Sequence, residues 1–294
     1  MNVFWEMSHV VSAEDLKKGF EIADWADDPS KASGRARMES ALKAFGELLQ
    51  HPWLKELVRK EEARVLDLCA GRGIGGVALA KILRNAGVKV SVTFVDKRDD
   101  ALEDALRLAK SEKIPANARA ADALKAHELG KFDAVLIYGA SLIHFNEWEH
   151  VRLFASAAAS LEPNGLLIVE EMDRVHAIFR SGFKDFIVEN KDPASLSVSV
   201  YVRYDPLTAS HYRTFVRLRD GKSVTLPFTF RSIAHIASVA WLFFEDVDLV
   251  LLSAEKHLYA ILGRRPRGII APELLAQDPE ILRRGKLWTA SGER

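Results

Sequence analysis

A single cysteine, Cys69, stands among 294 residues, so no intrachain disulfide can close and no Cys-based zinc cluster can be built. A metal site is not expected. No run approaches the roughly 18 to 20 apolar residues that span a bilayer, and the opening MNVFWEMSHVVSAEDLKKGF lacks a basic start followed by an apolar stretch. Neither a membrane span nor a signal peptide is expected, and a reducing, cytoplasmic setting follows. Charge of one sign is also missing. Lys plus Arg and Asp plus Glu both number 41, which argues against a dedicated nucleic-acid binder, whose surface carries a basic excess. Side-chain amides are scarce, six Asn and two Gln, beside an abundance of charge. That bias suits a thermophile protein.

What is present is ordinary globular composition, 48% hydrophobic and 28% charged, enough for one or two domains. Residues 13 to 60 read as helices: Ala13 to Ala23, Met38 to Leu49 and Pro52 to Val58, separated by the polar break Asp27 to Gly34. From Arg64 short apolar runs alternate with helical stretches. Strands are expected at Val65–Leu68, Val88–Asp96, Asn117–Ala121, Phe132–Ile137 and Gly165–Val169. Helices between them imply a parallel sheet covered on both faces. Ser197–Tyr204, His211–Leu218 and Ser223–Phe230 alternate as strands of an antiparallel meander at about 195–231. A helix at Ile233–Phe244 and a hairpin, Val247–Leu252 with Leu258–Leu262, close the fold. The division expected is a helical cap at 1–60, an α/β domain at 61–265 and a tail at 266–294.

Val65-Leu66-Asp67-Leu68-Cys69-Ala70-Gly71-Arg72-Gly73-Ile74-Gly75-Gly76 runs from a strand through a glycine-rich turn into a helix. Such a turn lets backbone approach a ligand, and the helix start offers unpaired N–H groups. Gly71-x-Gly73-x-x-Gly76 fits a dinucleotide pattern, with Asp96 at the place of a ribose-binding acid. Two features turn it away from NAD. Asp67 at the strand end suits a cofactor with a cationic amino-acid portion, and the closing antiparallel hairpin leaves no second parallel half.

The arrangement resembles the class I S-adenosylmethionine (SAM)-dependent methyltransferases. Asp67 to Gly73 is similar to their acid-x-Gly-x-Gly-x-Gly motif, with Cys69 in place of the first glycine. Asp96 ends the second strand, Asp122 follows the third, Phe132 to Gly139 resembles the fourth motif, and Leu161 to Val169 the turn into strand five. Phe243 to Arg265 resembles the closing hairpin. The resemblance implies a Rossmann-like α/β fold: a seven-stranded, mostly parallel sheet with helices on both faces and an antiparallel last strand, here with an N-terminal helical cap and an inserted β meander.

It also implies roles. The backbone at Gly71 and Gly73 would pass under the methionine portion of SAM, with Cys69 and Ala70 of the same loop also binding the cofactor. Asp67 would orient the loop or hold a water near the ammonium group. Asp96 would accept from both ribose hydroxyls or cap the next helix. Asp122, beside Ala123, would accept from the adenine amino group or cap a helix, while Lys97 and Leu124 cover the adenine faces. Tyr138 main chain would accept from the cofactor, with the segment Tyr138 to Phe145 facing the transferable methyl. His144 is the candidate general base by its near-neutral pKa, or a structural histidine. Tyr138 and His144 make up the catalytic pair expected. Of Glu170 and Glu171, one would meet substrate and the other pair with Arg174 or face solvent. Arg35 and Arg37, before the second helix, would reach the cofactor carboxylate or lie at the surface. His211 and Tyr212, with Tyr201 and Tyr204, would line the acceptor site, pack within the meander or form a subunit interface.

No Asn/Asp-Pro-Pro-aromatic sequence follows strand four, and the lone cysteine sits in the cofactor loop, so pyrimidine carbon-5 chemistry through a cysteine is not open. A small-molecule acceptor methylated at O or N is expected. RNA or protein transfer is the alternative, resting on Arg264-Arg265-Pro266-Arg267 and Arg283-Arg284-Gly285-Lys286. An NAD-dependent oxidoreductase and a non-catalytic SAM-binding regulator are further alternatives.

Overall fold

The computed structural model describes residues 11–287. The expectation about a signal peptide, and the outer ends of the expected cap and tail, lie outside them. In chain order the elements are α1 (Ala13–Ala23), α2 (Ala32–Leu48), α3 (Pro52–Val58), β1 (Glu62–Leu68), α4 (Ile74–Asn85), β2 (Lys89–Asp96), α5 (Asp99–Ser111) and β3 (Ala116–Ala120). There follow β4 (Phe132–Ile137), α6 (Glu147–Ala159), β5 (Leu161–Met172), α7 (Arg174–Ser181), β6 (Phe186–Asn190), β7 (Ser197–Asp205), β8 (Ser210–Arg217) and β9 (Ser223–Phe228). The chain closes with α8 (Ile233–Phe243), β10 (Phe244–Ser253), β11 (Leu258–Pro266) and α9 (Glu280–Arg284).

The main sheet has seven strands in the order β10-β11-β5-β4-β1-β2-β3. β1 pairs in parallel with β2 and β4, and β5 with β4, whereas β11 runs antiparallel to both β5 and β10. The strand side chains alternate between two cores, as a pleated sheet covered on both faces requires. Val65, Phe94, Leu136 and Ile168 pack under Phe45, Leu54, Leu79 and Leu102 of α2 to α5. Leu66, Val95, Ile137 and Val169 pack against Phe154 of α6 and Ile236 and Ala240 of α8. The strand order reverses between β1 and β4, so a crevice opens at their carboxyl ends, where ligands bind in open α/β sheets.

Three expectations are corrected. The meander is a four-stranded sheet, β6-β7-β8-β9, because β6 adds an edge to the three strands expected. The N-terminal helices are not one cap. α1 packs on the small sheet, with Ile22 and Ala23 beside Phe215, Val224, Leu226 and Phe228, while α2 and α3 cover the main sheet. α2 also begins at Ala32 rather than Met38, so Arg35 and Arg37 lie inside it. No helix among the described residues is long and apolar enough to cross a membrane.

Candidate active site

Past β1 the backbone turns through three left-handed residues, Cys69 (φ 56°), Gly71 (φ 51°) and Gly73 (φ 80°). Cys69 adopts that conformation with a Cβ, which costs free energy and is tolerated only where the surroundings fix it. Gly73 caps α4; a Cβ there would stand 2.8 Å from Ala105 Cβ, so close packing of α5 accounts for the missing side chain. Gly73 does not line the cavity, while Gly75 does. A Cβ on Gly75 would meet the Tyr138 side chain at 2.5 to 2.8 Å. Asp67 lies beneath the loop. Its Oδ2 accepts from Gly76 N–H at 2.8 Å, its Oδ1 has no partner among the described residues, and burial pushes the carboxyl up to about 8. It braces the helix start and is not on the cavity wall.

Asp96 joins the loop to α5 and α1. One oxygen accepts from Gly71 N–H at 2.8 Å and the other from Arg98 N–H at 2.9 Å. Arg98 is buried, 3.8 Å over the Phe20 ring and 3.3 Å from Asp27. Each carboxylate oxygen keeps acceptor capacity, and Asp96 lines the cavity. Asp122 caps a 3₁₀ segment, Ala123–Leu129, by accepting from Leu124 N–H at 3.0 Å, and pairs with Lys97 Nζ at 3.0 Å. Asp96 and Asp122 are therefore both backbone caps and cavity residues. Ala70, Cys69, Lys97, Ala123 and Leu124 line the same wall.

After β4, Tyr138 carbonyl accepts from Ser141 Oγ at 2.9 Å. Its phenol is buried, and burial pushes its pKa well above the ordinary tyrosine value, with the Arg37 guanidinium 5.3 Å from its ring; a phenol so weakly acidic does not serve as acid or base near neutrality. Arg37 lines the cavity and donates to Ala26 carbonyl at 3.1 Å, whereas Arg35 is exposed and bonded to Ser30 carbonyl. Glu170 accepts from Gly139 N–H at 2.8 Å, is pushed up to about 7 by burial and lies outside the cavity. It positions the loop rather than the acceptor. Glu171 is buried, accepting from Leu142 and Met172 N–H and facing Arg174 at 3.4 Å.

His144 does line the cavity, but burial pushes it down to about 4, contrary to the near-neutral value expected. Its ring stands 6.1 Å from Trp25 and 5.5 Å from Phe228. Tyr212 lines the cavity too, with Arg203 3.7 Å over its ring. His211 does not; it sits among Phe183, Tyr201, Tyr204 and Phe230. Sequence reasoning missed Phe20, Trp25 and Arg98. The Asp96-Lys97-Arg98 run carried a signal for the last, since a cation beside a strand-end acid is placed to anchor it.

These residues line one cavity of about 840 Å³. One end is polar, with the glycine turn, Asp96 and Asp122. The other is walled by Trp25, Phe215, Phe228 and Phe230 under the small sheet. Residues 65–165 match the family model for a methyltransferase domain. That match spans about a third of the chain and marks a methyltransferase domain there. Such a domain is that of an enzyme, and SAM is the cofactor that the resemblance of the sequence implies. The polar end fits that group, because two strand-end carboxylates and the unpaired first-turn N–H groups of Ile74 and Gly75 edge one wall. No curated protein sequence matches the chain. Among solved structures, the PH0226 protein of Pyrococcus horikoshii is 19% identical at a TM-score of 0.55, covering 86% of this chain and 98% of its own. A SAM-dependent methyltransferase of Clostridium acetobutylicum is 14% identical at 0.57, over 76% and 91% of the two chains. CalS10, an amino pentose methyltransferase of Micromonospora echinaspora with SAM bound, is 15% identical at 0.50, over 80% and 97%. At these identities the likeness is one of fold.

Proposed function

We propose that this methyltransferase acts on O or N of a small, largely aromatic or apolar molecule. The observation that carries the reading is the large cleft, polar at the sheet edge and aromatic beneath the roof. Its volume lies in the range of about 300 to 1,000 Å³ of ligand pockets, and a concave, aromatic-walled cleft of that size favours a small acceptor over an RNA or a protein surface. Arg264 and Arg265, expected as a basic patch, are paired with Asp246 at 2.8 Å each, which further weakens the RNA alternative. The neighbour CalS10 acts on an amino pentose, in keeping with a small acceptor.

Bound SAM supplies a sulfonium methyl already activated for displacement, so the protein's task is alignment and exclusion of water. In this reading Asp96 accepts from the ribose hydroxyls, Asp122 from the adenine amino group, and Gly71 lies along the methionine portion. Arg37, the one arginine of α2 on the cavity wall, meets the cofactor carboxylate. His144, neutral near pH 7, accepts a hydrogen bond or a proton from the acceptor. The exposed apolar face of the small sheet, where Phe186 and Val200 are register partners, supports self-association through that sheet.

The test is calorimetric titration of cofactor-stripped protein with S-adenosylhomocysteine, with NAD in parallel, followed by a turnover screen of phenols, aryl amines and amino sugars. Micromolar binding that weakens at least tenfold in Asp96→Asn, no binding of NAD, and turnover with a small acceptor are expected. Turnover confined to RNA or protein would overturn the acceptor reading.

A further inference from the structure

Outside the cavity, where α6 and α8 meet, Glu147, His150 and His235 offer ligand atoms within 4.8 Å of one another. We propose that these three residues bind a divalent transition-metal ion of the zinc type in the seam between the two helices. The inference is independent of the acceptor reading.

Glu147 and His150 are three positions apart in α6, so helical geometry puts them on one face; His235 comes from the first turn of α8. His150 is fully buried, and neither of its ring nitrogens has a hydrogen-bond partner among the described residues. An orphaned imidazole is a rare and costly arrangement, because each buried polar atom carries its desolvation penalty with nothing in return. A cation at the ring edges, in line with the nitrogen lone pairs, would give one nitrogen its partner. The rings of His150 and His235 stack 5.8 Å apart.

The spacing is close to what a cation needs. Ligand atoms about 2.0–2.2 Å from a tetrahedral ion stand about 3.3–3.5 Å from one another. Glu147 Oε2 and His235 Nε2 are already 3.2 Å apart. Glu147 is held ready by Arg231, whose Nε donates to Oε2 at 3.0 Å. The other two nitrogens of that guanidinium are engaged by Leu142 and Phe145 carbonyls at 3.0 and 2.7 Å. The second oxygen of Glu147 has no hydrogen-bond partner among the described residues. Two imidazoles and one carboxylate form the borderline donor set that suits zinc, cobalt or nickel rather than magnesium or calcium. The exposed His235 provides the entry path, and a fourth position is left to water. The nearby Arg231 charge lowers affinity, so binding is expected in the micromolar range.

The experiment uses the full chain, untagged and treated with chelator. Zinc is titrated by calorimetry, cobalt by visible absorption and melting is followed with and without zinc. Expected are one equivalent bound, a cobalt band of four- or five-coordinate nitrogen and oxygen ligation, and a melting midpoint raised by several degrees. His235→Ala, at an exposed position, and Glu147→Gln should each weaken binding at least tenfold. His257→Ala, which breaks the other histidine pair (His176 and His257, rings 4.6 Å apart), should leave it unchanged. The absence of one-equivalent binding overturns the proposal. So does binding that survives both variants, or that is lost in Cys69→Ser instead.

Discussion

At the scale of single residues, the site is governed by groups whose burial moves their proton affinity. His144, pushed down to about 4, is unprotonated throughout the neutral range. Its participation therefore gives a rate profile that is flat above about pH 5, with an acid limb near the histidine value. Because general bases contribute about 100- to 10,000-fold at matched pKa and this one is weak, His144→Phe is expected to lower kcat/KM by roughly tenfold. Homocysteine-analogue affinity should not change. An unaltered rate would assign the whole effect to alignment. Asp67 moves the other way. Its folded-state value, about 8, lies above the ordinary carboxyl value, so the native protein keeps a proton that the unfolded chain releases. Its contribution is complete below about pH 4 and is lost as pH rises through about 8. Asp67→Asn preserves an acceptor for Gly76 and removes the ionisation. Between pH 5 and 8.5 the wild type should lose at least about 1 kcal/mol relative to the variant, read by urea unfolding. Parallel stability curves would contradict this.

At the scale of elements, tight packing of the glycine loop is the feature most exposed to substitution. Gly75→Ala puts a methyl within 2.5 Å of Tyr138 Cβ, whereas at Gly46, on α2, the nearest atom is 3.9 Å away. Thermal unfolding should show Gly75→Ala destabilised by about 1–3 kcal/mol, with cofactor binding impaired. Gly46→Ala should gain about 0.5–1 kcal/mol from helix propensity alone. The contrast shows what the sequence made legible. Strands β1 to β5 and their helices were readable, because apolar side chains alternate or recur at helical spacing wherever a core lies behind them. α7 and β6 were not. α7 buries no residue and β6 is a half-exposed edge, so neither carries a periodic apolar signal. The start of α2 was hidden for two reasons. Lys31 makes no side-chain cap, and Gly34, which reads as a turn residue, is glycine because a Cβ would fall 1.8 Å from Asp28 carbonyl oxygen. In the site, Asp96, Asp122 and the turn were legible from their place at strand ends. Glu170 and His211 were not, because only the fold decides which side of a strand end faces the cavity.

At the scale of the whole molecule, charge and roofing are the distinguishing features. Few amides and linked surface pairs such as Arg264–Asp246–Arg265 are the pattern of heat-tolerant proteins. The melting midpoint is expected above the roughly 45–65 °C of mesophile domains, and calorimetry finding it inside that range would remove the thermophile reading. The roof poses the sharper question, since α1 and the turn that follows it together touch both ends of the cavity. Towards the cofactor end, Phe20 lies against Arg98, which holds Asp96. Towards the acceptor end, Trp25 packs edge-on to Phe215 at 5.5 Å and beside His144. Trp25→Ala removes an aromatic wall and one edge contact of Phe20, 4.8 Å away, while Phe20 keeps its place under Arg98 and the Arg98–Asp96 hydrogen bond is made without Trp25. It should raise acceptor KM about tenfold or more, since each aromatic of this kind contributes on the order of 1 kcal/mol or more, and leave S-adenosylhomocysteine affinity intact. An equal loss of both would mean that α1 moves as one rigid strut between acids and aromatics. Acceptor recognition and cofactor recognition would then be a single mechanical unit.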